Sequence, residues 1–378
     1  MEVSGVVMPS PRTLFRSVPR PWVNGALFAV KFRRTVVFSC IICAIAVAII
    51  IARPLARAQA PISVAVNEVV VPVTVTDEKG RFVSNLTKSD FKIFDEGKEQ
   101  QPHFFSHEQS QPIVIGFLID TSNGMKIHWD KYREAASELM LSLLPGDKRY
   151  SGYLITYGNT PQLVADTSSD SEKMVEKMRK LKPAGGAALF DAIYMACTSR
   201  KTVSGEPYEP RRVIVVIGDG HDTASQKSLK EVLEIAQRNL VTIYAMSSVA
   251  FGMHGESEDT LTQLTSETGG KVETPLNNAY KDVAGYLEVP QDAGNFALSV
   301  GTGAYTAEIS SAIFRAVASL SGEITTQYVI RYSPDIGQGS DAKQFRRIRV
   351  SVNLPNVQVR YRNGYYPFAP PGSPQKPE

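Results

Sequence analysis

The sequence predicts an α/β protein, a doubly wound and mostly parallel sheet with small β-regions on either side of it along the chain. Three observations lead there. Ile113-Val114-Ile115-Gly116-Phe117-Leu118-Ile119 and Val213-Ile214-Val215-Val216-Ile217 are continuous apolar runs, the pattern of strands buried on both faces as in the middle of a parallel sheet. Between such runs the apolar period becomes helical. At both ends of the chain the pattern changes again, to the two-residue alternation of half-buried strands.

The chain begins with a segment of another kind. Its first sixty residues carry eight cations (Arg12, Arg16, Arg20, Lys31, Arg33, Arg34, Arg53 and Arg57) against one acid, Glu2. Cations precede an apolar run of 17 residues, Thr35–Ile51, which leads into Leu55-Ala56-Arg57-Ala58-Gln59-Ala60. Cations, apolar run and small-residue exit in that order form a secretory signal. Cleavage falls after Ala58 or Ala60, with Ala58 favoured because Pro61 would adjoin a cut at Ala60. The alternative is an uncleaved membrane anchor, since such a run just spans a bilayer. Both readings of residues 1–60 export the body to the periplasm or cell surface. Without this segment the net charge of +3 becomes −4, which offers nucleic acid no electrostatic footprint. Hydrophobic residues at 43% and charged residues at 21% exclude a wholly disordered chain and a multi-span membrane protein. Cys40 and Cys43 lie inside the apolar run, so Cys197 stands alone in the body and the fold rests on its core rather than on disulfides.

The body reads element by element. Val69, Val71, Val73 and Val75 alternate up to Asp77-Glu78-Lys79-Gly80, a strand and turn. Phe91–Phe94 leading into Asp95-Glu96-Gly97 repeats the pattern, so residues 61–110 read as a small β-region with too few residues to bury a secure core alone. The main unit spans 111–333. After its first buried strand comes a helix with Tyr132, Ala135, Ala136, Leu139, Met140 and Leu143 on one stripe. A strand at Gly152–Tyr157 and a helix at about Ser171–Leu181 come next. Beyond the second buried strand, Ser228 and Glu231 form a capping box for a helix striped by Leu229, Val232, Leu233, Ala236 and Leu240. Val241–Met246 is a further strand, and a short helix leads to Gly269-Gly270. Strands and helices alternating at this spacing imply right-handed crossovers. Residues 275–306 lack periodicity and read as an inserted loop before a helix at Ala307–Leu320. Alternation returns at Thr325–Tyr332 and through 334–368. Those strands either join the N-terminal ones or extend the main sheet. Residues 369–378 are a Pro-rich, disordered tail.

In an open parallel sheet, ligands bind beyond the carboxyl ends of the strands. Asp120 and Asp219 come directly after the two buried strands, and with Ser122 they supply the hard oxygens that Mg²⁺ accepts. The competing role is structural: Asp120 and Ser122 capping the next helix, and Asp219 accepting backbone hydrogen bonds in a Gly-rich turn.

Segments 113–125 (IVIGFLIDTSNGM), 185–193 (GGAALFDAI) and 213–225 (VIVVIGDGHDTAS) resemble the three signature segments of a von Willebrand factor A domain, a Rossmann-like α/β fold. The likeness covers 112 to about 272. The flanking β-segments resemble those of the related family abundant in acidobacteria, which has no established enzymatic activity. The resemblance implies a metal-ion-dependent adhesion site made by an Asp-x-Ser-x-Ser turn, a Thr and a second Asp. Asp120, Ser122 and Asp219 match. Gly124 stands where the second serine belongs and Ala187 where the threonine belongs, and neither carries a side-chain oxygen. Even an outer partner's loss weakens metal affinity about 10–100-fold, so the expected cofactor is none or weakly held Mg²⁺. Asn123 places an amide oxygen one position early.

Other constellations carry less. Ser122, His221 and Asp222 have the residue types of a hydrolytic triad but lack a nucleophile elbow. His103, His107, His128 and His254 lack zinc spacing. Arg346, Arg347, Arg349, Arg360 and Arg362 make the C-terminal strands basic, either as a solvated edge-protecting face or as an anion site. The expected function is a non-enzymatic, exported binding or scaffolding module that meets a protein or cell-envelope partner at the sheet's carboxyl face. The alternatives are a structural subunit of an envelope assembly with a vestigial metal site, and a hydrolase.

Overall fold

The computed structural model describes residues 68–107, 112–127, 129–198, 210–248, 256–275, 303–335 and 344–367. All fall within one compact unit, Ala65–Glu378. The N-terminal segment read as an export signal, most of the inserted loop, His128, His254 and the tail lie outside the described residues.

The central sheet has six strands: β5 (Ile113–Asp120), β6 (Tyr150–Tyr157), β7 (Pro161–Ser168), β8 (Arg211–Gly218), β9 (Val241–Ser247) and β10 (Val272–Glu273), in the order β10-β9-β8-β5-β6-β7. All neighbours are parallel except β6 and β7. The edge strand β7 leaves no mark in the sequence pattern, because Pro161–Ser168 buries only Ala165 fully and carries no apolar alternation.

Helices cover both faces. On one lie α1 (Trp129–Leu143), α2 (Ser171–Arg179) and α6 (Gly303–Thr326), packed on Ile113, Ile115, Phe117 and Ile119 of β5. On the other lie α3 (Leu189–Thr198), α4 (Leu229–Arg238) and α5 (Glu256–Thr268), packed on Leu118, Ile214, Val216 and Ile243. Successive strand residues point to opposite faces, so a run that is apolar at every position feeds two cores at once. The stripe expected on α1 is buried as read. α4 starts at the expected capping box: Ser228 Oγ accepts from Glu231 N–H, and Glu231 accepts from Ser228 N–H. α6 begins at Gly303, ahead of the expected Ala307.

The terminal β-segments fold together. β1 (Val69–Asp77), β4 (Phe104–Ser106), β11 (Tyr328–Tyr332) and β13 (Val357–Tyr361) form one antiparallel sheet in the order β13-β1-β11-β4. β2 (Phe91–Asp95), β3 (Lys98–Gln100), β12 (Arg346–Val352) and β14 (Gly364–Tyr365) form a second, β14-β12-β2-β3. Both sheets contribute to a single core that includes Val71, Val73, Ile93, Tyr328, Ile330, Ile348 and Val350. Of the two placements open for the C-terminal strands, joining the N-terminal ones is observed, and β11 belongs with them. Neither segment has the apolar area to stand alone, and pairing them closes a core. The β2–β3 hairpin turns on Glu96 and Gly97, at φ 49° and 80°, the two left-handed residues that a tight two-residue turn requires.

Two arginines of the basic C-terminal strands, Arg346 and Arg360, are paired with buried carboxylates. Buried Asp95 accepts from Arg346 Nε (2.9 Å), Tyr332 Oη (3.0 Å) and Tyr365 Oη (2.8 Å). Arg349 lies over the Phe94 ring, 4.0 Å from its centroid. Arg360 pairs with Glu323 of α6, whose other oxygen accepts from Thr74 Oγ1 of β1 at 3.1 Å. Lys271 Nζ reaches the same carboxylate at 3.3 Å. Glu323 is wholly buried, so this cluster joins the β-layer to the α/β layer through a desolvated carboxylate held by two partly exposed cations. Among the described residues no helix is long and apolar enough to cross a membrane.

Candidate functional site

Three loops meet over the carboxyl ends of β5 and β8. The first leaves β5 at Asp120 and passes through a 3-10 turn, Asn123–Ile127, anchored by buried Met125. The second precedes α3 and the third leaves the end of β8.

Backbone hydrogen bonds tie the first loop to its neighbours. Thr121 N–H donates to Tyr157 O (3.1 Å), Ala184 N–H to Thr121 O (2.6 Å) and Asn123 N–H to Gly185 O (3.0 Å). Asn159 Oδ1 accepts from Gly186 N–H at 2.6 Å.

The second and third loops lock reciprocally. Ala187 N–H donates to Thr223 Oγ1 (2.9 Å), while Thr223 and Ala224 N–H donate back to Ala187 O (2.8 and 3.0 Å). Asp222 Oδ2 accepts from Phe190 N–H (2.8 Å), Ser225 Oγ accepts from Asp191 N–H (3.0 Å), and Asp191 accepts from Gln226 and Lys227 N–H. The cause lies in the sequence. Gly185-Gly186-Ala187-Ala188 gives α3 no capping oxygen of its own, and the first N–H groups of a helix need acceptors. The third loop supplies them. Sequence reasoning does not single out Thr223, Ser225 and Asn159, and it reads Asp222 only as a triad residue type, although an α3 without a local cap is the signal.

The three predicted residues come together. Asp120 is wholly buried, and its Oδ1 accepts from Ser122 N–H at 2.6 Å, a bond within its own loop. Its Oδ2 is buried without a partner among the described residues. Burial, reinforced by the neighbouring Asp219 charge and opposed by hydrogen bonds from Ser122, pushes its carboxyl up to about 7. Asp219 Oδ1 accepts from His221 N–H (2.9 Å), and its Oδ2 lies 3.1 Å from His221 Nδ1.

Space at two glycines locates these oxygens. A Cβ on Gly124 would stand 2.9 Å from Asp219 Oδ2 and 3.4 Å from Ser122 Oγ. A Cβ on Gly218 would stand 3.0 Å from Asp120 Oδ2 and 2.3 Å from Tyr157 Oη. The Tyr157 hydroxyl, also buried without a partner among the described residues, is therefore beside Asp120 at the floor of the site. Burial first, then Asp120, Asp219 and Asp222, hold it well above the ordinary phenol range.

The triad residue types do not form a relay. His221 pairs with Asp219, while both Asp222 oxygens are engaged by Phe190 N–H and by the N–H and Oγ of Ser225. His103 pairs with Glu68, and His107 stacks on Tyr328. Burial pushes the Cys197 thiol up to about 12, so it is an unreactive core residue.

The family model described as von Willebrand factor type A domain matches residues 115–281. No curated protein matches the sequence. Similar solved structures include the conserved hypothetical protein BatB from Bacteroides thetaiotaomicron, at 15% identity, covering 54% of this chain and 98% of that one with a TM-score of 0.34. The SpRpn10 VWA domain is 18% identical, covering 48% and 97% with a TM-score of 0.34. Proximal thread matrix protein 1 from the mussel byssus, with its MIDAS motif occupied by zinc, is 15% identical, covering 48% and 46% with a TM-score of 0.36. The family match falls on the six-stranded sheet and contains the three loops that gather Asp120, Ser122 and Asp219, and residues 115–281 are thus a von Willebrand factor type A domain.

Proposed function

We propose that this is an exported, non-enzymatic protein whose von Willebrand factor type A domain binds a protein partner of the cell envelope through the three loops at the sheet's carboxyl end. The observation that carries the reading is the mutual hydrogen bonding of those loops into one surface, on which Asn123, Lys126, His221 and Thr223 are exposed. Binding residues concentrate on loops held by a rigid scaffold. Export rests on the order of cations, apolar run and small residues in the first sixty positions.

The metal-ion-dependent adhesion site is degenerate in this reading. Mg²⁺ demands near-octahedral oxygen coordination. Asp120, Ser122 and Asp219 offer two carboxylates and one hydroxyl, and one Asp219 oxygen is already paired with His221. Position 124, beside Ser122 Oγ and Asp219 Oδ2, carries no hydroxyl, and neither does position 187. The residues present do not make a full first shell, so partner binding is assigned to the loop surface itself.

The test is affinity isolation from cell-envelope extract in Mg²⁺ and in EDTA, comparing wild type with Lys126→Glu/His221→Glu. A specific partner retained in EDTA and lost with the charge-reversed surface is the expected result. A partner lost in EDTA, or one indifferent to the loop substitutions, overturns it.

A further inference from the structure

The five arginines of the basic C-terminal strands, Arg346, Arg347, Arg349, Arg360 and Arg362, do three different things. Arg346 and Arg360 pair with the buried carboxylates of Asp95 and Glu323. Arg362 is buried, its Nη2 donating to Leu240 O at 2.8 Å, much as buried Arg211 donates to Ile324 O at 2.7 Å. Arg347 and Arg349 are left on the outside. β12 turns Ile348 and Val350 into the core, and the two exposed arginines point the other way.

β2 adds to the same outer face. It buries Phe91, Ile93 and Asp95 and exposes Lys92, with Phe94 half-buried. The register sets Arg349 opposite Phe94 and Ser351 opposite Lys92, so Lys92 is the diagonal neighbour of Arg349, about 7–8 Å away. Arg347 stands two residues from Arg349, about 6.8 Å along the strand. The Arg349 guanidinium lies on the Phe94 ring at 4.0 Å, a stack that fixes its plane. The nearby carboxylates are Glu99, opposite Phe94 on β3, and Glu96 at the turn, one of whose oxygens accepts from Arg347 N–H. Neither forms an ion pair with Lys92, Arg347 or Arg349 among the described residues.

Edge protection does not explain these cations. In the order β14-β12-β2-β3 the strands β12 and β2 are inner strands, whereas protective charges belong on the outermost ones. Several other surface arginines sit beside an acid of their own segment, as Arg81 with Asp77, Arg133 with Asp130, Arg149 with Asp147 and Arg238 with Glu234. Three cations without ion partners on one sheet face repel one another, and a carboxylate-bearing partner relieves that repulsion.

We propose that this face is a second docking surface, taking an acidic protein segment in extended conformation, with carboxylates at alternate positions seated on Arg347 and Arg349 beside Lys92. An extended chain repeats its side chains every two residues, at the same spacing as the two arginines. A planar guanidinium takes a carboxylate through two hydrogen bonds. The face is built from residues other than those of the three loops, so it stands or falls independently of them.

The probe is a fluorescent peptide of alternating glutamate and threonine, with a glutamine-threonine peptide and inorganic polyphosphate as comparisons. Anisotropy is followed with the wild-type chain, Arg349→Gln, Arg347→Gln/Arg349→Gln and the loop variant Lys126→Glu/His221→Glu. All four positions are exposed, and thermal melts check that each variant folds. The wild type should bind the glutamate peptide saturably, more weakly as salt rises, and should not bind the glutamine peptide. Arg349→Gln should lose about tenfold in affinity, the double arginine variant should lose more, and the loop variant should keep it. No saturable binding, equal affinity in wild type and the double arginine variant, or an equal loss in the loop variant overturns the proposal. So does binding of polyphosphate but not of the glutamate peptide, which would make the occupant a phosphate polymer.

Discussion

Gly124 and Asp219 face each other across the loop cluster, so closely that a Cβ on Gly124 would stand 2.9 Å from Asp219 Oδ2. The opposing atom is the far end of a side chain, and it can give way by releasing His221. Gly124→Ser with Ala187→Thr should therefore place two more oxygens beside Asp120, Ser122 and Asp219. Calorimetric titration with Mg²⁺ or Mn²⁺ should show weak or undetectable binding in wild type, clear binding in the double variant, and its loss when Asp219→Ala is added. A folded double variant that binds no better than wild type would mean that the loops do not converge on one ion.

Asp120 gives stability a pH dependence. Its carboxyl rises from the ordinary 3.8 to about 7 on folding. The folded protein thus holds this proton more tightly than the unfolded chain, and the contribution is full below pH 3.8 and lost as pH rises through 7. In EDTA, Asp120→Asn should remove that slope and raise stability above about pH 7, by on the order of a few kcal/mol. Urea denaturation across this range checks it, and parallel profiles for the two proteins would contradict it.

Glu323 joins the two layers, and its removal leaves Arg360 without a carboxylate while Lys271 keeps Glu273. Breaking a buried pair costs about 3–5 kcal/mol, and the partial exposure of Arg360 reduces this. Glu323→Ala is expected to lose about 2–3 kcal/mol in chemical denaturation, with Glu323→Gln losing less because Thr74 Oγ1 keeps an acceptor.

Gly269 sits at φ +87°, and a Cβ there would stand 2.6 Å from Arg362 N. Backbone strain alone costs about 1–3 kcal/mol, and the clash is with main chain that cannot swing aside. Gly269→Ala should lower the melting temperature by several degrees, whereas Gly80→Ala, at φ +74° with open space around it, should lose only the strain component.

Export predicts a mature chain that begins after Ala58 or Ala60, or an intact chain that stays with membranes. Intact-mass measurement on fractionated native cells distinguishes these, and full-length protein in the soluble cytoplasmic fraction would exclude both.

The sequence by itself determined the middle strands of the central sheet and the carboxyl edge at which the candidate residues stand. A strand apolar at every position can only be satisfied between two helical layers, so β5 and β8 were legible from composition alone. The first polar residues after them, Asp120 and Asp219, then mark the carboxyl edge. The Ser228–Glu231 cap was legible for the same local reason, since its partners are three residues apart. Only the tertiary structure decided what depends on distant partners. Sequence alternation says that β1 and β11 each bury a face but not against what, and the answer joins residues more than two hundred positions apart. That Thr223 and Asp222 supply the acceptors for the N–H groups at the start of α3 is decided by where two loops meet. Arg211 and Arg362 read as ordinary basic residues because nothing local records burial. Charge and hydrogen-bond satisfaction are properties of the packed junction, where desolvation makes each unpaired donor costly.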